Sequence, residues 1–174
     1  MPRLMSGSDS SSRLRIAIVG PAHPLRGGIA DFNHALAQSL TKAGHSVSLF
    51  SFYMQYPSVL FPGKTQFTDG KGPHGLDIHS TLSSVNPFSW LSTARNISAI
   101  MPDLVIIRYW MPFMAPALGT LARQLRKQHI PVVAITDNVL PHEKRPGDTM
   151  LTRYFVKSCD GFITMSRSVL EELS

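Results

Sequence analysis

The chain has 174 residues, of which 43% are hydrophobic and 16% are charged, enough for one globular domain with a sizeable core. One cysteine, Cys159, excludes an intramolecular disulfide and favours a reducing compartment such as the cytoplasm, and no apolar stretch approaches the roughly 20 residues that cross a bilayer. The net charge of +6 favours anionic partners, among them nucleic acid, phosphorylated substrates and an anionic membrane surface.

The first elements of the chain alternate between apolar runs and helical spacing. Residues 1–12 are serine-rich and lack an apolar signal core, so we interpret them as a disordered leader before a domain at 13–174. Residues 14–19 predict a buried strand, and apolar residues spaced by three and four from Ile29 predict a helix that ends at Gly44. Residues 46–52 predict a second strand and residues 53–75 a long exposed loop.

The second half of the chain continues the alternation. A brief strand is predicted at 77–79, followed by a helix that Asn86 and Pro87 open and that runs to about Ile100. The later predictions are strands at 103–109, 131–136 and 161–165, helices at 118–128 and 148–157, the latter capped by Asp148, and a helix beginning at Ser166. Basic residues are scattered except for Arg123, Arg126 and Lys127, which we interpret as the solvated face of a helix.

These elements predict the fold class. Strands that are apolar throughout, rather than at every second residue, indicate a parallel sheet covered on both faces. Right-handed crossovers make this an α/β, Rossmann-like doubly wound parallel sheet. Ligands of such sheets bind beyond the carboxyl ends of the strands, so the loops there are the candidate site.

The loop after the first predicted strand, "GPAHPLRGGIADF", holds the adjacent glycines Gly27 and Gly28 at a strand-to-helix junction. Such glycines let an anion approach the free N–H groups of a helix N-terminus, although a plain turn would also use them. The dinucleotide pattern G-x-G-x-x-G and its ribose-binding acid are absent, which disfavours a dehydrogenase. His23 and Arg26 flank the pair as candidate cleft residues, whereas His34 and His45 are expected to be structural.

Two further loops carry polar and aromatic residues to the same edge. "RYWMPF" places Arg108 and Trp110 there, the first suited to phosphate or carboxylate and the second to the face of a sugar, although Trp110 and Tyr109 would also serve as packing. "TDNVLPHEKRPGD" is the richest polar segment, and its candidate site residues are Asn138, His142 and Glu143. Zinc is not expected, because Cys159 is alone and the histidines lack ligand spacing.

Taken together, "IAIVGPAHPLRGGIADFNHALAQSLTKAGHSVSLFSF", "PDLVIIRYWMPF", "VVAITDNVLPHE" and "CDGFITMSRSVLEEL" resemble the N-terminal domain of family 4 glycosyltransferases, retaining enzymes of the GT-B fold. The resemblance covers the chain from Arg13 onward and implies that this is the acceptor-side half of such an enzyme. It implies a nucleotide-diphosphate sugar as donor substrate, no other cofactor and no metal. It also implies that Gly27 and Gly28 approach the donor diphosphate and that the catalytic His142 lies near the acceptor and the reacting sugar.

The resemblance also has a departure. Family members recognise the donor with a C-terminal domain that carries a Glu-x7-Glu pattern, and this sequence contains no such domain. We therefore expect the chain alone to be inactive, with the donor domain or a separate donor subunit as its partner. The acceptor is expected to be a glycan, a small molecule or a lipid-linked sugar, with peripheral contact to an anionic membrane and no nucleic-acid partner. Three alternatives remain: a non-catalytic acceptor-binding or scaffold subunit of a split transferase, a GT-B sugar epimerase fragment, and a dehydrogenase.

Overall fold

A computed structural model of the chain describes residues 12–58, 66–137 and 146–165. Six strands form one parallel sheet in the order β3-β2-β1-β4-β5-β6, which confirms the doubly wound, Rossmann-like class. The strands are β1 Arg15–Val19, β2 Ser46–Met54, β3 Asp77–Ser83, β4 Leu104–Tyr109, β5 Val132–Thr136 and β6 Gly161–Thr164. The helices are α1 Gly28–Lys42, α2 Pro87–Ala99, α3 Ala115–Arg126 and α4 Asp148–Val156, with a 3-10 turn at Pro112–Met114 before α3.

The helices cover both faces of the sheet. On one face, α1 packs Ala37, Phe32, Leu36 and Leu40 against Ile16, Ile18 and Ile106, as the three- and four-residue spacing predicts. On the other face, the larger cluster unites β-strand residues with α2, α3 and α4, and includes Tyr109, Leu118 and Phe155. Cys159 is buried in this second cluster, and burial raises the pKa of its thiol to about 12, so the thiol is protonated and unreactive at neutral pH.

Several predicted boundaries need correction. β3 has seven residues rather than three, and β2 continues to Met54, because both strands gain ladder partners from each other beyond the apolar run. α3 begins three residues before the predicted Leu118, with Pro116 in its first turn, where a missing N–H costs nothing. The N-cap of α4 is Gly147, with φ of 96°, and Asp148 is the first helical residue. The helix predicted from Ser166 lies outside the described residues.

The basic group at the end of α3 does more than face solvent. The guanidinium of Arg123 lies 4.1 Å from the centre of the Tyr154 ring, and its Nε donates to Ser158 Oγ at 2.9 Å. Arg126 Nε pairs with Asp160 Oδ1 at 2.7 Å. These two arginines therefore join α3 to α4 and to the start of β6, although all three basic residues are exposed, as the solvated-face interpretation predicts.

Candidate functional site

The candidate site lies at the carboxyl edge of the sheet, where the strand order changes direction between β1 and β4. Connections from neighbouring strands diverge at such a point and leave a crevice between them. The loops after β1 and β4 border this crevice. Asp137 follows directly after β5, and its backbone N–H donates to the carbonyl of Tyr109 at 3.2 Å. The sequence-predicted residues of these described loops therefore share one edge.

The β1–α1 loop leaves the sheet through a tightly packed glycine. A Cβ on Gly20 would stand 2.8 Å from Asn33 Nδ2 and 2.9 Å from Arg108 Cβ, so only glycine lets β1, α1 and β4 approach this closely. Asn33 is buried and donates to the Pro21 carbonyl at 2.8 Å. The Ser51 hydroxyl accepts from the N–H of Ala22 and donates to its carbonyl. The start of the loop is thus anchored from both α1 and β2.

The middle of the same loop is paired with the segment after residue 65. The N–H of Arg26 donates to the Gln66 carbonyl at 3.1 Å, and the N–H of Thr68 donates to the Pro24 carbonyl at 2.8 Å. Leu25 and Phe67 form an antiparallel bridge between these bonds. Residues 66–70, part of the predicted long exposed loop at 53–75, therefore form a strap that holds the β1–α1 loop. Arg26 itself is exposed.

The glycine pair ends this loop at the N-terminus of α1. Gly27 is the N-cap, with φ of 125°, and no side chain caps the helix there. Gly28 is the first helical residue, its φ is not in the left-handed region, and a Cβ built on it meets no atom within 4 Å. Both glycines are exposed, so the backbone at the start of α1 is open to solvent there, whereas Ala30 is buried and Asp31 adds an acidic side chain to the first turn. Gly27 is required by the backbone, whereas Gly28 keeps the approach to the helix end clear.

Hydrogen bonds of His23 and His34 help to fix the conformation of the β1–α1 loop. The N–H of His23 donates to His34 Nε2 at 2.9 Å, and His23 Nε2 donates to the Gly70 carbonyl at 2.9 Å. Burial lowers the pKa of His34, the nearby Asp31 carboxylate raises it to a smaller extent, and His23 lowers it. Because Nε2 must be unprotonated to accept, neutral His34 holds the loop. His34 is therefore structural, and so is His45, whose Nδ1 accepts from the N–H of Leu14 at 3.3 Å.

The His34 bond predicts a dependence of stability on pH. The folded pKa is below the ordinary value near 6.5, so the unfolded chain binds a proton first as the pH falls. The free energy of unfolding should therefore decrease from about pH 6.5 downward until the folded pKa is passed. Urea unfolding of the wild type and of His34→Gln, compared across this range, checks it. The difference in free energy of unfolding between the wild type and His34→Gln should change with pH. If the two free energies depend on pH in the same way, the stabilising role assigned to neutral His34 is contradicted.

Arg108 lies in the interior beneath the crevice. Its side chain is 4% exposed, and its Nε donates to Asp137 Oδ2 at 2.8 Å while Nη2 pairs with Asp137 Oδ1. The guanidinium carbon lies 4.2 Å above the Phe32 ring of α1. Nη1 is buried and has no hydrogen-bond partner among the described residues. The expectation that Arg108 lines the cleft is not met by this placement, because its side chain is buried and two of its nitrogens hold Asp137, directly after β5.

Trp110 is held by the loop after β2. Its Nε1 donates to the Tyr56 hydroxyl at 2.8 Å, and its ring meets Phe52 edge-on with centroids 6.1 Å apart. The same Tyr56 hydroxyl donates to Met111 Sδ at 3.3 Å. Trp110 is half-buried, so part of its surface remains accessible to solvent. The packing role that the sequence analysis considered for Trp110 therefore explains the hydrogen bond of its Nε1 and its edge-on contact with Phe52.

Tyr109 points away from the crevice into the core. It stacks on Phe155 with centroids 4.1 Å apart, and its hydroxyl lies 3.4 Å from Thr152 Oγ1. Burial is the main reason that the pKa of Tyr109 is raised to about 12. The phenol is therefore neutral at physiological pH and serves packing.

The remaining sequence-predicted residues, Asn138, His142 and Glu143, lie outside the described residues. The sequence interpretation did not assign a role to Asp137, Asn33 or Tyr56, which position the described part of the site. The sequence did contain a signal for Asp137. It follows one buried strand, and Arg108 lies near the end of the adjacent strand, so both side chains are brought to the same edge of the sheet. Within the described ranges, no three potential metal ligands come together, and no helix has the length and apolarity to span a membrane.

Comparisons with known proteins agree with this fold. The family model of Glycosyltransferase Family 4 matches residues 26–174. No protein with a curated description matches the chain. Among solved structures, an α-glucosyltransferase bound to UDP and a 13-mer DNA with a central A:G mismatch is similar at 15% identity and a TM-score of 0.58, over 90% of this chain and 38% of that one.

Two further solved structures are similar in fold. UDP-N-acetylglucosamine 2-epimerase from Rickettsia bellii is similar at 12% identity and a TM-score of 0.61, over 93% of this chain and 41% of that one. MurG from Acinetobacter baumannii is similar at 15% identity and a TM-score of 0.56, over 90% and 42%. At these identities the likeness shows the fold, and the chain spans about two fifths of the length of each of these structures.

Proposed function

Because the chain belongs to Glycosyltransferase Family 4, we propose that it is the acceptor-side domain of a retaining, nucleotide-sugar-dependent glycosyltransferase. The observation that carries this proposal is the exposed, uncapped N-terminus of α1 behind Gly27 and Gly28. Free N–H groups and the positive end of a helix dipole attract phosphate. The donor substrate is therefore proposed to be a nucleoside diphosphate sugar whose diphosphate approaches this glycine pair.

In this proposal, three features of the β1–α1 loop act on that diphosphate. The amides after Gly27 stabilise the negative charge that develops on the leaving nucleoside diphosphate, a role for which such enzymes need no metal. Arg26 is exposed beside the pair and adds positive charge. His23 lies within the same loop, where His34 holds its backbone N–H and the Gly70 carbonyl holds its side chain.

The acceptor side of the proposal concerns the crevice between the β1 and β4 loops. The half-buried face of Trp110 offers an apolar surface for a sugar ring. Arg108 acts indirectly, by holding Asp137 at the head of the segment that carries Asn138, His142 and Glu143. His142 is proposed as the catalytic residue near the reacting sugar, with Asn138 and Glu143 as acceptor contacts. The acceptor is a glycan, a small molecule or a lipid-linked sugar, the last with peripheral membrane contact at the cytoplasmic face.

The proposal predicts that this chain alone does not turn over donor sugars. In this proposal the described residues form one side of a cleft, and the resemblance implies that the donor binds chiefly to a second domain. Incubation with UDP- and GDP-sugars should release no nucleoside diphosphate above the level given by heat-denatured chain. Addition of the donor domain should produce release. Robust hydrolysis or transfer by the chain alone would contradict the half-enzyme proposal.

A second candidate function is a sugar epimerase fragment, which the likeness to UDP-N-acetylglucosamine 2-epimerase favours. Both functions place a nucleotide sugar in the same crevice, so the reaction product distinguishes them. Net transfer to an added acceptor supports the transferase, whereas isomerisation of the donor sugar without transfer supports the epimerase. A non-catalytic scaffold subunit would give neither product and would still associate with the donor-binding partner.

A further inference from the structure

A cavity of about 770 Å³ lies at the amino edge of the sheet, on the side opposite the candidate site. It is lined by the ends of α3 and α4 and by Pro131 and Asp160, which directly precede β5 and β6. The five residues of β5 separate it from the carboxyl edge by roughly 16 Å, at the usual rise of a strand. A molecule bound in this cavity, which we call the α3–α4 cavity, therefore does not occupy the crevice.

The side chains that line the α3–α4 cavity are mostly cationic. Four of them are permanently positive, namely Arg123, Arg126, Lys127 and Lys157, and among the described lining residues the one carboxylate is Asp160. Asp160 is already paired with Arg126 at 2.7 Å. The C-terminal ends of α3 and α4 add about half a negative charge each, so the lining keeps an excess of about two positive charges.

Arg123 is held in one orientation at this cavity. Its guanidinium lies 4.1 Å from the centre of the Tyr154 ring, and its Nε donates to the hydroxyl of the buried Ser158 at 2.9 Å. The Tyr154 ring is itself fixed against α3, where a Cβ on Gly119 would stand 2.6 Å from Cε1 of that ring. A guanidinium that is fixed before binding loses little conformational entropy when it binds a phosphate.

The lysines of the cavity are not needed to complete the two helices. Basic side chains in a last turn commonly bond the free carbonyls there. At the end of α3 the backbone N–H groups of residues 127–130 already donate to such carbonyls, and at the end of α4 those of residues 157–159 do so. Lys127 and Lys157 are exposed, and neither enters an ion pair among the described residues. Their ammonium groups are therefore available to a ligand.

We propose that the α3–α4 cavity binds a small organic molecule that carries two phosphate groups. Such an anion matches the excess positive charge, with the planar fork of Arg123 suited to phosphate oxygens and the lysines acting as point charges. Ile130 and Pro131 line the cavity beside the cations and offer an apolar surface to the organic part. A cavity of about 770 Å³ is also of the size that takes small molecules rather than a bare ion. The inference is independent of the proposed function.

Isothermal titration calorimetry of the chain with inorganic pyrophosphate and with ADP tests this assignment. Both probes should bind, and ADP should bind more tightly because its organic part contacts the apolar surface. Lys127→Gln combined with Lys157→Gln should weaken the binding of both probes by about tenfold or more, as expected for loss of hydrogen bonds to charged groups. The melting temperature should stay that of the wild type, because both side chains are exposed.

Two control variants separate this cavity from general attraction to anions and from the crevice. Lys42→Gln combined with Arg95→Gln removes the same formal charge from the exposed surfaces of α1 and α2, and it should change binding by less than about twofold. Gly28→Val alters the proposed donor site and should leave the lysine-dependent binding unchanged. Failure of the inference and failure of the proposed function are thus distinguishable.

Several results would overturn the proposal. One is equal weakening by the Lys42 and Arg95 control, since net charge alone would then explain binding. Others are absence of binding, binding of sulfate as tight as that of pyrophosphate, and ADP that binds no more tightly than pyrophosphate. Binding that Gly28→Val abolishes and the lysine variant does not would place both probes in the crevice. Tighter, lysine-dependent binding of a single-stranded oligonucleotide would make this surface a nucleic-acid site instead.

Discussion

Replacing Asp137 by alanine is expected to lower the free energy of unfolding by about 3–5 kcal/mol, the usual cost of breaking a buried ion pair from one side. Arg108 would keep its buried position, with a side chain only 4% exposed, and would lose the carboxylate that satisfies two of its nitrogens. Its third nitrogen, Nη1, already has no partner among the described residues. Denaturant unfolding at neutral pH measures the loss.

The control variants establish the cause of this loss. Asp69→Ala removes an exposed carboxylate in the strap and should change stability by less than about 0.5 kcal/mol. Asp137→Ala combined with Arg108→Met removes both charges, and it should recover part of the stability because the buried cation is gone. If the double variant is as unstable as Asp137→Ala alone, the unpaired guanidinium is not the reason for the loss.

The second large effect is expected from Gly28→Val in an enzyme that includes the donor domain. Gly28 has ordinary helical φ and open space where a Cβ would stand, so the fold should tolerate the change with a nearly unchanged melting temperature. The isopropyl group would occupy the space over the first-turn N–H groups of α1. Loss of charge stabilisation there should lower transfer by about 10²-fold or more, measured as nucleoside diphosphate release with acceptor present.

A graded series makes this result specific. Gly28→Ala adds a single methyl group, and its transfer rate should lie between those of the wild type and Gly28→Val. Inhibition by free nucleoside diphosphate should weaken from the wild type to Gly28→Ala to Gly28→Val. Gly27→Ala differs, because φ of 125° is strained for any side chain, and it should lower the melting temperature as well. Normal transfer by folded Gly28→Val would show that the glycine pair is only a turn.

Local patterns were sufficient to predict most elements. The apolar runs predicted five of the six strands to within a few residues, and the sixth, β3, was predicted too short because its partner β2 extends it. Asn86, Pro87 and Gly44 marked helix boundaries correctly, since caps act on the backbone groups next to them. The alternation of these elements indicated the parallel sheet, and the motifs indicated the family.

Contacts between distant residues decided the rest. Trp110 and Tyr56 are 54 residues apart, and nothing near either residue in the chain indicates the pair. Arg108 and Asp137 are 29 residues apart, and the sequence indicates only that they lie at the same edge of the sheet. The sequence places Arg108 at the correct edge, but the packing of α1 and β5 turns its guanidinium inward. Likewise, the glycine pair is evident in the sequence, yet only the folded backbone shows that Gly27 needs a positive φ and Gly28 does not. Hydrophobic periodicity and helix capping depend on residues that are close in sequence, so the sequence alone reveals them. Burial and ion pairing depend on which strands and helices the topology brings together, so only the tertiary structure decides them.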